Sequence, residues 1–262
     1  MILTRYASPP ALVEAAGAVP GDSIVRDDNQ WRGPMSWDQT LAAMAGRGCP
    51  EIGAKVGEMV RSLSARMPAP PRPQWIRKPA GVIPSVPAYL AGSPAAMLDR
   101  RKVQAGPVRV VASLSASAMW DPEHMEKRGA TIAALVARLA QRRPVELWIS
   151  AELGDPERLY MARVPTAPLD VNAVGYALAG VGVLRRLLFG IHYLNGGSHT
   201  IPWPKPSGFT VGSPAWAGKL REGLGLGPQD VYIPPGFGSP EDHPALADPV
   251  RWVIERAQEV GQ

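Results

Sequence analysis

The sequence predicts an α/β fold, a sandwich with a central, mostly parallel sheet, preceded by a helical N-terminal region. Three observations predict it. Val108–Leu114 is a short, apolar, β-branched run of the kind that forms a buried parallel strand. Residues 122–141 repeat apolar side chains at helical spacing (Met125, Ile132, Leu135, Val136, Leu139). Two further strand-like runs follow, "VELWIS" and "RLYMARV", separated by an Asp155-Pro156 turn that makes the second antiparallel to the first.

The other elements follow in order. Pro10–Gly17 reads as one short helix in a weakly periodic start. Ser36 and Gln39 form a capping box ahead of Trp37, Leu41, Met44 and Ala45, and Gly46 and Gly48 close that helix. Ile52, Val56, Met59, Val60 and Leu63 form the stripe of a second helix over 50–66, which pairs with the first. Seven prolines between Pro68 and Pro87 exclude helix from most of the next stretch and predict an extended surface connection. Asp170 caps a long helix to about Leu194. A loop follows, then a short helix over 212–224, a short strand over 231–233 and a last helix over 249–260. The expected organisation is a helical region (1–66), a Pro-rich basic connection (67–106) and an α/β domain (107–262).

Composition narrows the function classes. A chain of 262 residues, 45% hydrophobic, can bury one sizeable core. No apolar stretch approaches a membrane span and the start of the chain lacks a signal-peptide pattern, so no membrane partner is expected. The one cysteine, Cys49, excludes an internal disulfide and a cysteine-built zinc site and fits a cytoplasmic setting. The net charge of +5 is concentrated: residues 76–110 hold six basic residues (Arg77, Lys78, Arg100, Arg101, Lys102, Arg109) and one acidic residue, Asp99. Such a cluster is either a nucleic-acid contact, with Trp75 and Tyr89 beside it, or a solvated linker.

Known catalytic signatures are missing. There is no P-loop, no HExxH and no G-x-S-x-G elbow, and His124, His192, His199 and His243 do not pair at ligand spacing. His192 fits a hydrogen-bonded position within the core. Asp121 and Glu123 fit the first turn of a helix, where negative charge is favoured. Arg185 and Arg186 are expected at the surface.

The stretch "SLSAS" after the first buried strand carries a resemblance. Residues 107–262 resemble a von Willebrand factor A-type domain, whose first strand ends in Asp-x-Ser-x-Ser. Ser115 and Ser117 match the two serines, and Ser113 stands in place of the aspartate. The resemblance implies a cation held by the carboxylate and the two hydroxyls, with a later Thr (Thr166 or Thr200 here) and Asp (Asp242). The departure at Ser113 removes the main charge that a hard cation needs. No metal and no cofactor is therefore expected, and the hydroxyls are left to satisfy loop amides. The "WRG" and "RGA" segments and "VPAYLAGSPAAM" are similar to those of uncharacterised tailed-phage proteins.

These readings lead to a non-enzymatic protein-interaction module, a phage structural, assembly or adaptor component of the host cytoplasm or virion. Its partner is another protein. The contact residues are Ser113, Ser115, Ser117, Trp120, His199, Trp203 and Phe237, in loops beyond the C-terminal strand ends, where open α/β sheets bind ligands. The same aromatics could instead anchor those loops to the core. The alternatives are nucleic-acid binding through segment 77–109 and a metal-dependent binder or hydrolase.

Overall fold

A computed structural model describes residues 2–27, 30–46, 48–67, 75–100, 106–116, 120–153, 158–197, 214–236 and 239–260. It divides into two compact units, Met1–Met67 with Pro107–Gln262, and Pro68–Gly106. The elements in chain order are β1 (Ile2–Tyr6), α1 (Pro9–Gly17), α2 (Trp37–Ala45), α3 (Pro50–Arg66), β2 (Trp75–Lys78), β3 (Ile83–Pro84), α4 (Val86–Leu90), β4 (Met97–Arg100), β5 (Val108–Ser113), α5 (Pro122–Ala140), β6 (Val145–Glu152), β7 (Arg158–Val164), α6 (Val171–Ala179), α7 (Phe189–Leu194), α8 (Pro214–Gly223), β8 (Val231–Ile233), α9 (Pro244–Ala247) and α10 (Pro249–Glu259).

The larger unit is an α/β sandwich. Its sheet has the order β1-β7-β6-β5-β8. Every neighbouring pair is parallel except β6 and β7, which form the expected antiparallel hairpin. Alternation sorts the strand residues between two faces. Val108, Val110, Ala112, Leu147, Ile149, Ala162 and Ile233 join the large core under helices α1, α2, α3, α5, α6 and α10. Val111, Leu159, Met161 and Tyr232 point to the other face and meet Leu220 of α8 and Leu224 just beyond it.

The helix starts follow local chemistry. The Ser36–Gln39 capping box is complete, with Gln39 N–H donating to Ser36 Oγ (3.3 Å) and Ser36 N–H to Gln39 Oε1 (2.8 Å). Asp121 caps α5 by accepting from His124 N–H at 2.9 Å, with Pro122 in the first turn. Asp170 caps α6 in the same way, accepting from the N–H groups of Asn172 and Ala173. From Gly129 to Val136 every residue of α5 is buried, because α5 runs between the sheet and its neighbouring helices. Gly129 makes the closest approach possible: a Cβ there would lie 2.5 Å from Ala179 Cα.

Four sequence expectations change. The N-terminal region is not wholly helical, since Ile2–Tyr6 forms the edge strand beside β7. The helix expected to run from Asp170 to Leu194 bends by 57° after Ala179. Gly180 leaves the helical backbone there, and Val183–Leu188 continues as π-helix before α7. Arg185 and Arg186, expected at the surface, are buried in that π-helical stretch. Finally, the Pro-rich connection contains its own small sheet, β2-β4-β3, with both pairings antiparallel.

The buried arginines are held by backbone carbonyls. Arg185 donates to the carbonyls of Trp31 and Trp120, both at 2.6 Å, and its guanidinium lies 4.6 Å over the Trp31 ring. Arg186 donates to the carbonyls of Val25, Arg26 and Asp27. Burial pushes the Arg185 pKa down to about 10, partly opposed by Asp121, so the side chain stays charged near neutrality. No single described helix is long and apolar enough to cross a membrane.

Candidate functional site

In an open α/β sheet the ligand crevice opens where successive crossovers leave a strand in opposite directions. Here that strand is β5, with β6 on one side and β8 on the other. The serine turn lies at this point, and the structure fills the crevice with the chain's own side chains.

Ser113 and Ser115 are both buried. The Ser113 hydroxyl donates to Glu152 Oε2, and Ser150 Oγ (3.3 Å) and Tyr232 OH (3.1 Å) donate to Glu152 Oε1. Ser115 Oγ donates to the Glu152 carbonyl (3.0 Å) and accepts from the Glu152 N–H (2.9 Å). Arg128, reaching from α5, donates to the carbonyls of Ser113 (2.8 Å) and Pro234 (2.6 Å), and so joins the ends of β5 and β8. Burial pushes the Arg128 pKa down to about 10, opposed by the negative charge of Glu152. Burial, and then Glu152, raise the Tyr232 pKa, so the phenol remains a donor.

The carboxylate that the sequence lacks at position 113 therefore arrives from β6. Glu152 was not among the expected site residues. Its signal lies in "VELWISAE": Glu146, Ser150 and Glu152 are polar at period two in a strand that otherwise reads as apolar. Register sets Ser150 beside Ser113.

This centre does not fit a divalent cation. Both described serine hydroxyls are engaged, Glu152 accepts from three hydroxyls, and the positive charge of Arg128 already acts on the same centre. Thr166 lies at the opposite end of β6, where its hydroxyl donates to the Val145 carbonyl. Asp242 is exposed in the turn Pro240–Asp242, and Thr200 lies outside the described residues. Among the described residues no three His, Cys, Asp or Glu side chains gather.

Trp120 closes the crevice above. It is only 1% exposed, and its ring stands edge-on to His243 with centroids 5.3 Å apart. A Cβ on Gly236 would lie 2.6 Å from Trp120 Cη2. Gly236→Ala is therefore expected to lower the melting temperature, because a packed indole cannot yield as a flexible chain end does. Thermal unfolding by circular dichroism reads this directly.

His243 Nδ1 accepts from Ala245 N–H at 3.3 Å, capping α9 in its unprotonated form. Burial, and then the Arg128 charge, push its pKa down to about 4. The unfolded chain takes up this proton near pH 6.5. Stability from this group is thus complete above about 6.5 and is lost as pH falls toward 4. In His243→Asn, whose amide can still cap the helix, the decline in melting temperature between pH 7 and pH 4 should be shallower than in the wild type.

Of the seven expected contact residues, Ser113, Ser115 and Trp120 are interior and cannot face a partner. Ser117, His199, Trp203 and Phe237 lie outside the described residues. His192 is buried as expected, its Nδ1 3.4 Å from Tyr160 OH. The basic set separates as well. Arg109 belongs to β5, where its N–H donates to Asp230 Oδ1 and its guanidinium to the Leu224 carbonyl. Lys78 is paired with Asp99 at 3.1 Å, and Arg77 is exposed. Arg101 and Lys102 lie outside the described residues.

A family model, Domain of unknown function (DUF7192), matches residues 2–243. The chain belongs to the DUF7192 family. The match begins in β1 and runs beyond β8, so the DUF7192 region contains every strand of both sheets and the Glu152 centre. No curated protein and no solved structure matches the chain.

A second feature of the DUF7192 region is an open groove of about 660 Å³ between α3 and α5. Ile52, Val56, Met59 and Ala130 supply apolar lining, and Lys55, Glu58, Glu123, Glu126 and Lys127 supply charge. Lys55 bonds Glu126 at 3.2 Å and Lys127 bonds Glu123 at 2.7 Å, so most of this charge is neutralised within the protein.

Proposed function

We propose that the protein is a non-enzymatic interaction module, a structural, assembly or adaptor component of the tailed-phage kind, working in the host cytoplasm or virion. Its partner is another protein that lays an apolar helix face into the α3–α5 groove. The groove carries this reading: an apolar floor between two rigid helices, bordered by charges that are already paired. Such a surface accepts an amphipathic helix at little cost in desolvated charge. The crevice at the strand ends supports the same choice from the other side, since Ser113 bonds Glu152, Arg128 bonds the Ser113 and Pro234 carbonyls, and Trp120 packs against Gly236 and His243 there. The strand order β7-β6-β5-β8, with β7 reversed, supports the likeness to an A-type domain.

A photo-crosslinker placed at Met59 tests the reading in cells of the native host. One partner protein should be captured at Met59 and not at Arg251, which is exposed on α10. Met59→Glu, made in a protein that instead carries the crosslinker at Glu58, should abolish the adduct while leaving the melting temperature close to wild type. Equal capture at Met59 and Arg251, or none at Met59 in folded protein, overturns it.

A further inference from the structure

The Pro68–Gly106 unit has a surface unlike the rest of the molecule. Trp75, Val82, Ile83, Val86, Tyr89 and Leu90 are between 43% and 79% exposed. Five of them fall within nine residues, 82–90. Ser85 and Ala88 are buried and anchor this turn, with Ser85 N–H donating to the Ala96 carbonyl at 2.7 Å and Tyr89 N–H to the Ser85 carbonyl at 2.9 Å. Val86, Tyr89 and Leu90 occupy positions i, i+3 and i+4 of α4, so they share one face, away from Ala88. Isolated exposed apolar residues need no explanation, but a contiguous set on one anchored turn marks a contact surface.

Charge accompanies the apolar turn. Arg77 is exposed on β2 and pairs in register with Leu98, which pairs in turn with Ile83. Strand neighbours in register share a face, so the small sheet places a cation in line with apolar side chains. Asp99, the one acidic residue between 76 and 110, is already bonded to Lys78.

We infer that this unit docks peripherally on an anionic lipid surface, with the 82–90 turn entering the headgroup boundary and Arg77 facing the lipid phosphates. Three features select lipid over other anionic partners. The exposed set is mainly aliphatic, and Val and Leu are poor hot-spot residues in protein interfaces. Single-stranded nucleic acid prefers aromatic platforms, and only Trp75 and Tyr89 are available. An apolar insertion combined with clustered Lys and Arg supplies the two signals that stable peripheral anchoring needs. A second copy of the chain is disfavoured, because it would set Arg77 and its basic neighbours against the same charges. The contact needs no spanning helix, and it does not depend on the α3–α5 groove.

Flotation of the full chain with two vesicle types tests the inference: phosphatidylcholine alone, and phosphatidylcholine with phosphatidylglycerol. The protein should float with the anionic vesicles, not with the neutral ones, and less as salt rises. Leu90→Ser should weaken binding by at least about tenfold, since an inserted leucine contributes through each buried methylene. Arg77→Glu should weaken it and flatten the salt dependence. Leu90 is the most exposed of the set, so both variants should keep the wild-type melting temperature. No flotation at low salt, or flotation indifferent to Leu90→Ser, overturns the inference. So does a dimer, seen by sedimentation, that Leu90→Ser dissolves. Salt-sensitive binding to duplex DNA without flotation would assign the segment to nucleic acid instead.

Discussion

Arg128→Met is expected to lower the melting temperature by about 10 °C. Each hydrogen bond from a charged group contributes roughly 1.5–3 kcal/mol, two are lost here, and each kcal/mol shifts a domain of this size by roughly 2–4 °C. Two losses combine. The carbonyls of Ser113 and Pro234 lose their donor at the ends of β5 and β8, and the Glu152 centre loses the positive charge that acts on it. The two can be separated by adding Glu152→Gln to Arg128→Met. If charge dominates, the double variant recovers part of the lost stability; if the carbonyls dominate, it recovers none. Unchanged melting of Arg128→Met would mean that the crevice is not held closed by this side chain.

Trp120→Ala should be comparably damaging, at about 3–5 kcal/mol for a buried aromatic. It leaves a void against Gly236 and His243 and loosens the segment whose carbonyl receives Arg185. Trp120→Phe, which keeps most of the ring, should lose clearly less. The sequence reading leaves Trp120 either buried as an anchor or exposed as a contact residue, and in the second case its loss would weaken partner binding and spare stability. A Trp120→Ala protein that melts like the wild type would restore that role.

The two outcomes show where the sequence was legible. The strands β5, β6 and β7, the helix α5 and the caps at Ser36 and Asp170 all rest on local chemistry: apolar period, side-chain oxygen, proline position. They were readable for that reason. Arg185 and Arg186 were not, because a charged residue within an apolar run is assigned to solvent by default. What makes their burial tolerable is a set of carbonyls some 150 residues away in sequence, at Val25 to Asp27 and Trp31. The edge strand β1 was missed because it alternates imperfectly and gains its pairing only from β7. For the site, "SLSAS" is legible as a polar turn that ends β5 with no charge at position 113. The side chain that supplies charge there, Glu152, comes from another strand. The α3–α5 groove lies between helices that the sequence gives no reason to set side by side.

The pairing of β1 with β7 also has a consequence for synthesis. Ile2 lies beside Arg158 and Tyr6 beside Ala162, so β1 has no neighbour until the chain has grown by more than 150 further residues. At roughly 5–20 residues per second, β1 waits on the order of 10 s or more unpaired. Meanwhile α1 to α3 and the whole Pro68–Gly106 unit are delivered before the sheet that organises the large core exists. The larger unit thus closes late, after residues 68–106 have been made, and a ribosome stalled before residue 158 presents β1 as an open edge.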